Sequence, residues 1–136
     1  MEILSKPLSL TTLFVLAILC HTLSYGEVLV FTDDKHPVSN TGDYEVYYLD
    51  LPSKVEQRLS EGLSNDPIEA KQQALTRIND PKLQQEIQQS YRGVIKAWQL
   101  GLTKIPAVVV NNKYVVYGIA DVETAVKLIN QQAKQE

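Results

Sequence analysis

Apolar positions in this chain follow two different periods, and the places where the period changes mark its elements. Glu27-Val28-Leu29-Val30-Phe31-Thr32 is a short, almost unbroken apolar run, the pattern of a strand buried on both faces. Asp33 to Asp43 is polar, holds proline, asparagine and glycine, and has no helical period, so it is expected to be a loop. Tyr44 to Leu51 is rich in valine and tyrosine and predicts a second strand, ended by Pro52. Ser53-Lys54-Val55-Glu56 has the form of a capping box. It opens a helix whose apolar face is Val55, Leu59 and Leu63.

Two further helix starts share one chemistry. Asp66-Pro67 and Asp80-Pro81 each put a carboxylate that can cap ahead of a proline suited to the first helical position. Ala70, Ala74, Leu75 and Ile78 line the second helix. Leu83, Ile87, Tyr91, Val94 and Trp98 stripe the third at helical spacing, and this aromatic stripe is expected in the core. Gly101 suits the position just past that helix's end. Pro106 then leads the β-branched run Ala107 to Val110, Asn111-Asn112-Lys113 turns the chain, and Tyr114 to Tyr117 returns as a hairpin partner. Asp121 caps a last helix with Val122, Ala125, Val126 and Ile129 inward, and Gln131 to Glu136 is expected to fray.

The order is strand, loop, strand, helices, hairpin, helix, which predicts an α/β fold with helices on both faces of one sheet. The first connection is short. Eleven residues separate Thr32 from Tyr44, whereas a parallel crossover needs about a dozen or more. Either this segment is an extended loop with one helical turn, or the first two strands are arranged differently. The helices between Ser53 and Leu100 are expected to cover the face left bare.

Leu8 to Leu19 changes the picture of the N-terminus. It is apolar, follows Lys6, and is shorter than the roughly 20 residues that span a bilayer. Residues 1–26 have the form of a secretory signal peptide, with cleavage before Glu27 or after Ser24, leaving a single domain over 27–136. An uncleaved anchor is the nearest rival. Lipid attachment at Cys20 is disfavoured because Ile18 and Leu19 stand where small residues belong. Cys20 is the single cysteine, so the cleaved chain carries no thiol and performs no thiol–disulfide exchange. A net charge of −3 gives no basic footprint for direct nucleic-acid binding.

The hairpin motif resembles the closing part of a thioredoxin-like domain, where a strand opens on a cis-proline. It is closest to the catalytic domains of periplasmic disulfide isomerases, through Leu100, Gly101, Thr103, Pro106, Ala107, Val108 and Val109. Those enzymes end their first strand Phe-Thr-Asp and place Cys-x-x-Cys two residues on. Here Phe31-Thr32-Asp33 is followed by His36 and Ser39 at the two cysteine positions. The run from Val28 to the final helix also resembles a family of short secreted proteins encoded with integrative conjugative elements. That resemblance implies a thioredoxin-like fold: a central four-stranded mixed sheet flanked by helices, with extra helices inserted before the cis-Pro hairpin. It implies a non-catalytic periplasmic accessory part of a conjugative type IV secretion apparatus. No cofactor is implied, and the partner is a protein of the machinery, pilin or an assembly factor. A thiol-independent chaperone for a secreted subunit is the alternative.

The candidate partner-binding groove is Asp33, Asp34, His36, Pro37, Ser39, Ile105 and Pro106. An extended segment can add to such an edge through backbone hydrogen bonds. His36 is the one histidine of the chain after the leader. With Ser39 it lacks an oxyanion motif such as Gly-x-Ser-x-Gly. With Asp33 and Asp34 it makes a poor metal set, since zinc takes several His or Cys ligands. It is therefore expected to hydrogen-bond locally and shape the edge near Pro106, with neither a catalytic nor a metal-ligating role.

Overall fold

A computed structural model of the chain describes residues 26–135. The predicted leader lies outside the described residues, apart from Gly26. The described chain holds β1 (Val28–Thr32), β2 (Glu45–Tyr48), α1 (Leu51–Ser60), α2 (Pro67–Ile78), α3 (Pro81–Gln99), β3 (Ala107–Val110), β4 (Tyr114–Tyr117) and α4 (Val122–Ala133). The strands form one open, mixed sheet in the order β2-β1-β3-β4. β1 runs parallel to β2 and antiparallel to β3, and β3 is antiparallel to β4.

Because side chains alternate along a strand, β1 feeds two separate cores. Val30 meets Val108, Val110, Val122, Ala125 and Ile129 under α4. Leu29 and Phe31 meet Ala97, Ala107 and Val109 under α3. Phe31 also stacks on Tyr47 of β2, with ring centroids 5.1 Å apart. Full burial of a side chain like Phe31 stabilises by about 1.5–3 kcal/mol.

The predicted caps on the last three helices are present. Asp66 accepts from the amides of Ile68 and Glu69, Asp80 from Lys82, and Asp121 from Thr124. Gly101 has φ +66°, and Ile105–Pro106 is cis. Asn111 and Asn112 both take positive φ, 56° and 54°, the local geometry of a tight hairpin turn.

Several expectations are corrected. β2 covers only Glu45–Tyr48; Leu49 still donates to the Thr32 carbonyl at 2.8 Å, but the chain then turns into a helix. Pro52 does not stop the strand: it sits buried in the first turn of α1, where its missing N–H costs nothing. The Ser53 capping box does not form, and Asp50 holds the N-cap position without a side-chain cap. Leu63 falls beyond the end of α1. The aromatic stripe is not core: Trp98 is 81% exposed, and Tyr91 reaches sideways to Glu56 on α1 at 2.8 Å. Leu75 and Ile78 are exposed too, and α2 buries no residue. Helical spacing located these stripes, but the sheet-facing side of α3 is the small-residue line Ser90, Gly93 and Ala97.

The first connection is an extended loop. β1 and β2 are parallel neighbours with no helix between them. The loop is held instead by a parallel bridge from Ser39 to Asp121 at the start of α4. Val38, Tyr44 and Val46 pack against the α4-side core. The added helices therefore do not cover the face a crossover helix would fill. α1, α2 and α3 pack on one another, and α3 packs on β2 from the opposite side.

Gly93 brings α3 onto the sheet: a Cβ there would lie 3.0 Å from Tyr47 Cβ and 3.4 Å from Leu49 Cδ2. Gly93→Val is expected to destabilise by about 1–3 kcal/mol through overpacking, read from urea denaturation. An unchanged midpoint would show that α3 can lift without cost.

Candidate functional site

The register of β1 and β3 places the candidate residues. Phe31 is opposite Ala107, so the next pair along is Thr32 and Pro106. The loop after β1 and the residues before β3 thus meet at one end of the sheet. Pro106 is buried, Ile105 half-buried. The Pro106 carbonyl accepts from Gly118 at 2.9 Å and so faces β4. Ile105 precedes β3 in a bend and is joined to Pro106 by the cis bond. β1 ends at Thr32 and bends away. Among the described residues no backbone–backbone hydrogen bond engages Ile105.

The bend is made by Asp33. Its Oδ1 accepts from the amides of Lys35 at 3.0 Å and His36 at 2.9 Å, and its carbonyl accepts from His36 at 3.2 Å. The same carboxylate oxygen lies 2.6 Å from His36 Nδ1. Thr32 Oγ1 donates to the His36 carbonyl. His36 is thus a turn residue pinned at three points, with its ring 47% exposed. Asp34 faces elsewhere: its carboxylate pairs with Lys54 at 2.7 Å, and its amide donates to Asp50 at 3.4 Å. Pro37 is exposed. Ser39 is bound by its backbone to Ala120 and Val122, at 2.9 and 3.0 Å.

The structure brings Asp33 and His36 together, with Ile105 and Pro106 at the same sheet end. It does not join Ser39 to His36, or Asp34 to His36. Among the described residues no group of three or more His, Cys, Asp or Glu is placed to hold a metal. Sequence reasoning missed Thr32, Asp50 and Lys54. The four-residue spacing of Asp50 and Lys54, an ion pair at 2.9 Å, was the available signal. Asp50 Oδ1 is buried without a hydrogen bond. A cleft of about 490 Å³ between α1 and α3, lined by Leu51, Val55, Arg58 and Glu86 among others, involves none of the candidate residues.

Three carboxyls are held below their ordinary range. Burial pushes Asp33 up, but the His36 hydrogen bond and charge, with the His36 and Lys35 amides, outweigh it. Burial likewise opposes Lys54 and the Asp34 amide at Asp50, and loses. At Asp121 the Thr124 amide and hydroxyl lead, with Asn40 adding to them. Lys54 is raised by Asp34 and Asp50. Tyr47 is pushed up to about 12 by burial and by Glu45, so its phenol stays protonated.

A carboxyl with a depressed folded-state pKa stabilises above its unfolded value and loses that contribution as pH falls through the folded value. Stability to urea is therefore expected to decline from about pH 3.8 downward, the ordinary carboxyl value. Combining Asp33→Asn, Asp50→Asn and Asp121→Asn should flatten that acid limb. An equally steep limb would place the acid sensitivity elsewhere. Searches among curated proteins and among solved structures find no match to the chain. A family model described as "Protein of unknown function (DUF1525)" matches residues 25–135, and the chain belongs to that family.

Proposed function

We propose that this protein is a thioredoxin-like, non-enzymatic accessory component of a conjugative type IV secretion apparatus, located in the periplasm and acting by protein binding. The observation that carries the proposal is the unpaired Ile105 peptide. Ile105 lies in the bend that leads into β3, at the end of the sheet where β1 stops. An extended partner segment entering there would complete the ladder. The sheet order and the cis Ile105–Pro106 bond support the thioredoxin-like assignment. The two positions that carry cysteine in the isomerases are His36 and Ser39, and the chain's one cysteine lies in the leader segment, so contact rather than sulfur exchange is the available chemistry. The resemblance to conjugative-element proteins supplies the system. No helix among the described residues is long and apolar enough to cross a membrane.

The alternative, a thiol-independent chaperone for pilin or another secreted subunit, draws on the exposed stripe Tyr91, Ile95 and Trp98 on α3. It predicts suppression of aggregation that is insensitive to thiol reagents and lost in Trp98→Ser.

A clean gene deletion is expected to lower DNA transfer at least tenfold. A photo-crosslinking residue at exposed Thr103 should capture a subunit of the machinery, while the same residue at Lys134 should not. Normal transfer from the deletion strain would overturn the assignment to conjugation. Equal capture from both positions would overturn the Ile105 edge as the docking point.

A further inference from the structure

The outer side of α3 changes character around the helix. Its sheet-facing line is Ser90, Gly93 and Ala97. At 3.6 residues per turn, the arc away from that line reads Trp98, Tyr91, Ile95, Arg92 and Lys96 in order, over roughly 160°. Gln88 and Gln99 fall between them. Trp98 is 81% exposed, Ile95 51% and Tyr91 38%. Arg92 is exposed and Lys96 half-buried, and Lys104 is exposed in the segment that follows the helix.

This arc is cationic in an acidic chain. The net charge is −3, yet no aspartate or glutamate occurs from Ile87 to Ala120. Among the described residues Arg92, Lys96 and Lys104 form no ion pair. Two acids approach the arc from other elements. Glu56 of α1 accepts from the Tyr91 hydroxyl at 2.8 Å, and Glu45 of β2 lines a small cavity with Arg92. Neither comes from α3, and neither is paired with one of its cations.

We infer that this arc of α3 seats the protein on the surface of an anionic lipid bilayer. The order across the arc selects that partner: aromatic, then aliphatic, then cationic. With Ile95 turned toward the acyl boundary, Trp98 and Tyr91 lie along one flank and Arg92 and Lys96 along the other. Tryptophan favours this boundary because its ring is apolar and its N–H needs a polar partner. Arginine and lysine lay their stems on apolar surface while their charged ends reach lipid phosphates. A purely apolar protein surface would leave Arg92 and Lys96 without counter-charge. A nucleic-acid strand binds through many phosphate contacts and by stacking, and Ile95 offers it no stacking face. The contact is peripheral, since no helix among the described residues is long and apolar enough to cross a membrane.

Trp98 is the single tryptophan, so its fluorescence reads the contact directly. The protein as its host processes it is mixed with vesicles of phosphatidylglycerol and phosphatidylcholine in equal parts, and with vesicles of phosphatidylcholine alone. A blue shift of the emission and quenching by brominated acyl chains are expected with the anionic vesicles only. Arg92→Gln and Lys96→Gln should each weaken vesicle binding about fivefold, the equivalent of about 1 kcal/mol per charge at an anionic surface. Trp98→Ser, read by co-sedimentation because it removes the fluorophore, should weaken it roughly tenfold. All three positions lie outside the buried line of α3, so circular dichroism should be unchanged. Raising ionic strength from about 0.1 M to about 1 M shortens the reach of charge from about 10 Å to about 3 Å. It should weaken binding of the unsubstituted protein too, which keeps the test independent of any variant's folding. Unshifted emission with anionic vesicles would overturn the inference. So would equal binding to neutral vesicles, binding indifferent to salt or to all three substitutions, or a shift produced only by single-stranded DNA or another protein.

Discussion

β1 is enclosed on every side, and the other elements are arranged by that fact. Its backbone is shared between a parallel neighbour and an antiparallel one, while its side chains alternate into two cores. From Leu29 to Thr32 every residue is buried. A strand so enclosed must be apolar throughout, and its register controls everything beside it: a slip of one residue would exchange the two cores. The same register sets Thr32 opposite Pro106, and so determines which backbone groups at that end have no partner.

The short first connection shapes the site. Without a crossover helix, the chain leaving β1 has to turn at once, and the Asp33 side chain closes that turn on Lys35 and His36. Further along, Ser39 zips to the start of α4, and Val38 supplies apolar cover that a helix would otherwise provide. The three inserted helices stack on the other side, where Gly93 lets α3 approach Tyr47 closely. One face is thus thinly covered by a loop and α4, while the other carries a helical layer whose outer surface exposes tyrosine, isoleucine and tryptophan.

On the function proposed above, these features would serve recognition by surface. The polar pairs at the sheet end serve the turn itself: His36 with Asp33, and Lys54 with both Asp34 and Asp50. What they leave open is backbone, at Ile105 before β3 and along the edge strand β4. Backbone donors and acceptors at a strand edge bind extended chains with little regard for side chains, and specificity must come from the apolar grooves alongside.

Local chemistry was legible in the chain wherever a few neighbouring residues decide the outcome. The β1 run, the aspartate–proline helix starts, the Asn-Asn turn, Gly101 and the proline-led hairpin each carry their own cause, and each stands where expected. The end of β2, the start of α1 and the fate of the α3 stripe depended on distant partners. Pro52 allows either a strand end or a first helical turn, and burial of its ring selects the helix. Tyr91 and Trp98 have helical spacing whether they face a core or solvent; the small face of Ser90, Gly93 and Ala97 packs inward because Tyr47 leaves no room for more. The unpaired Ile105 peptide belongs to this second class, since it depends on where β1 stops beside the bend that leads into β3, a relation between segments about 70 residues apart that no local pattern records.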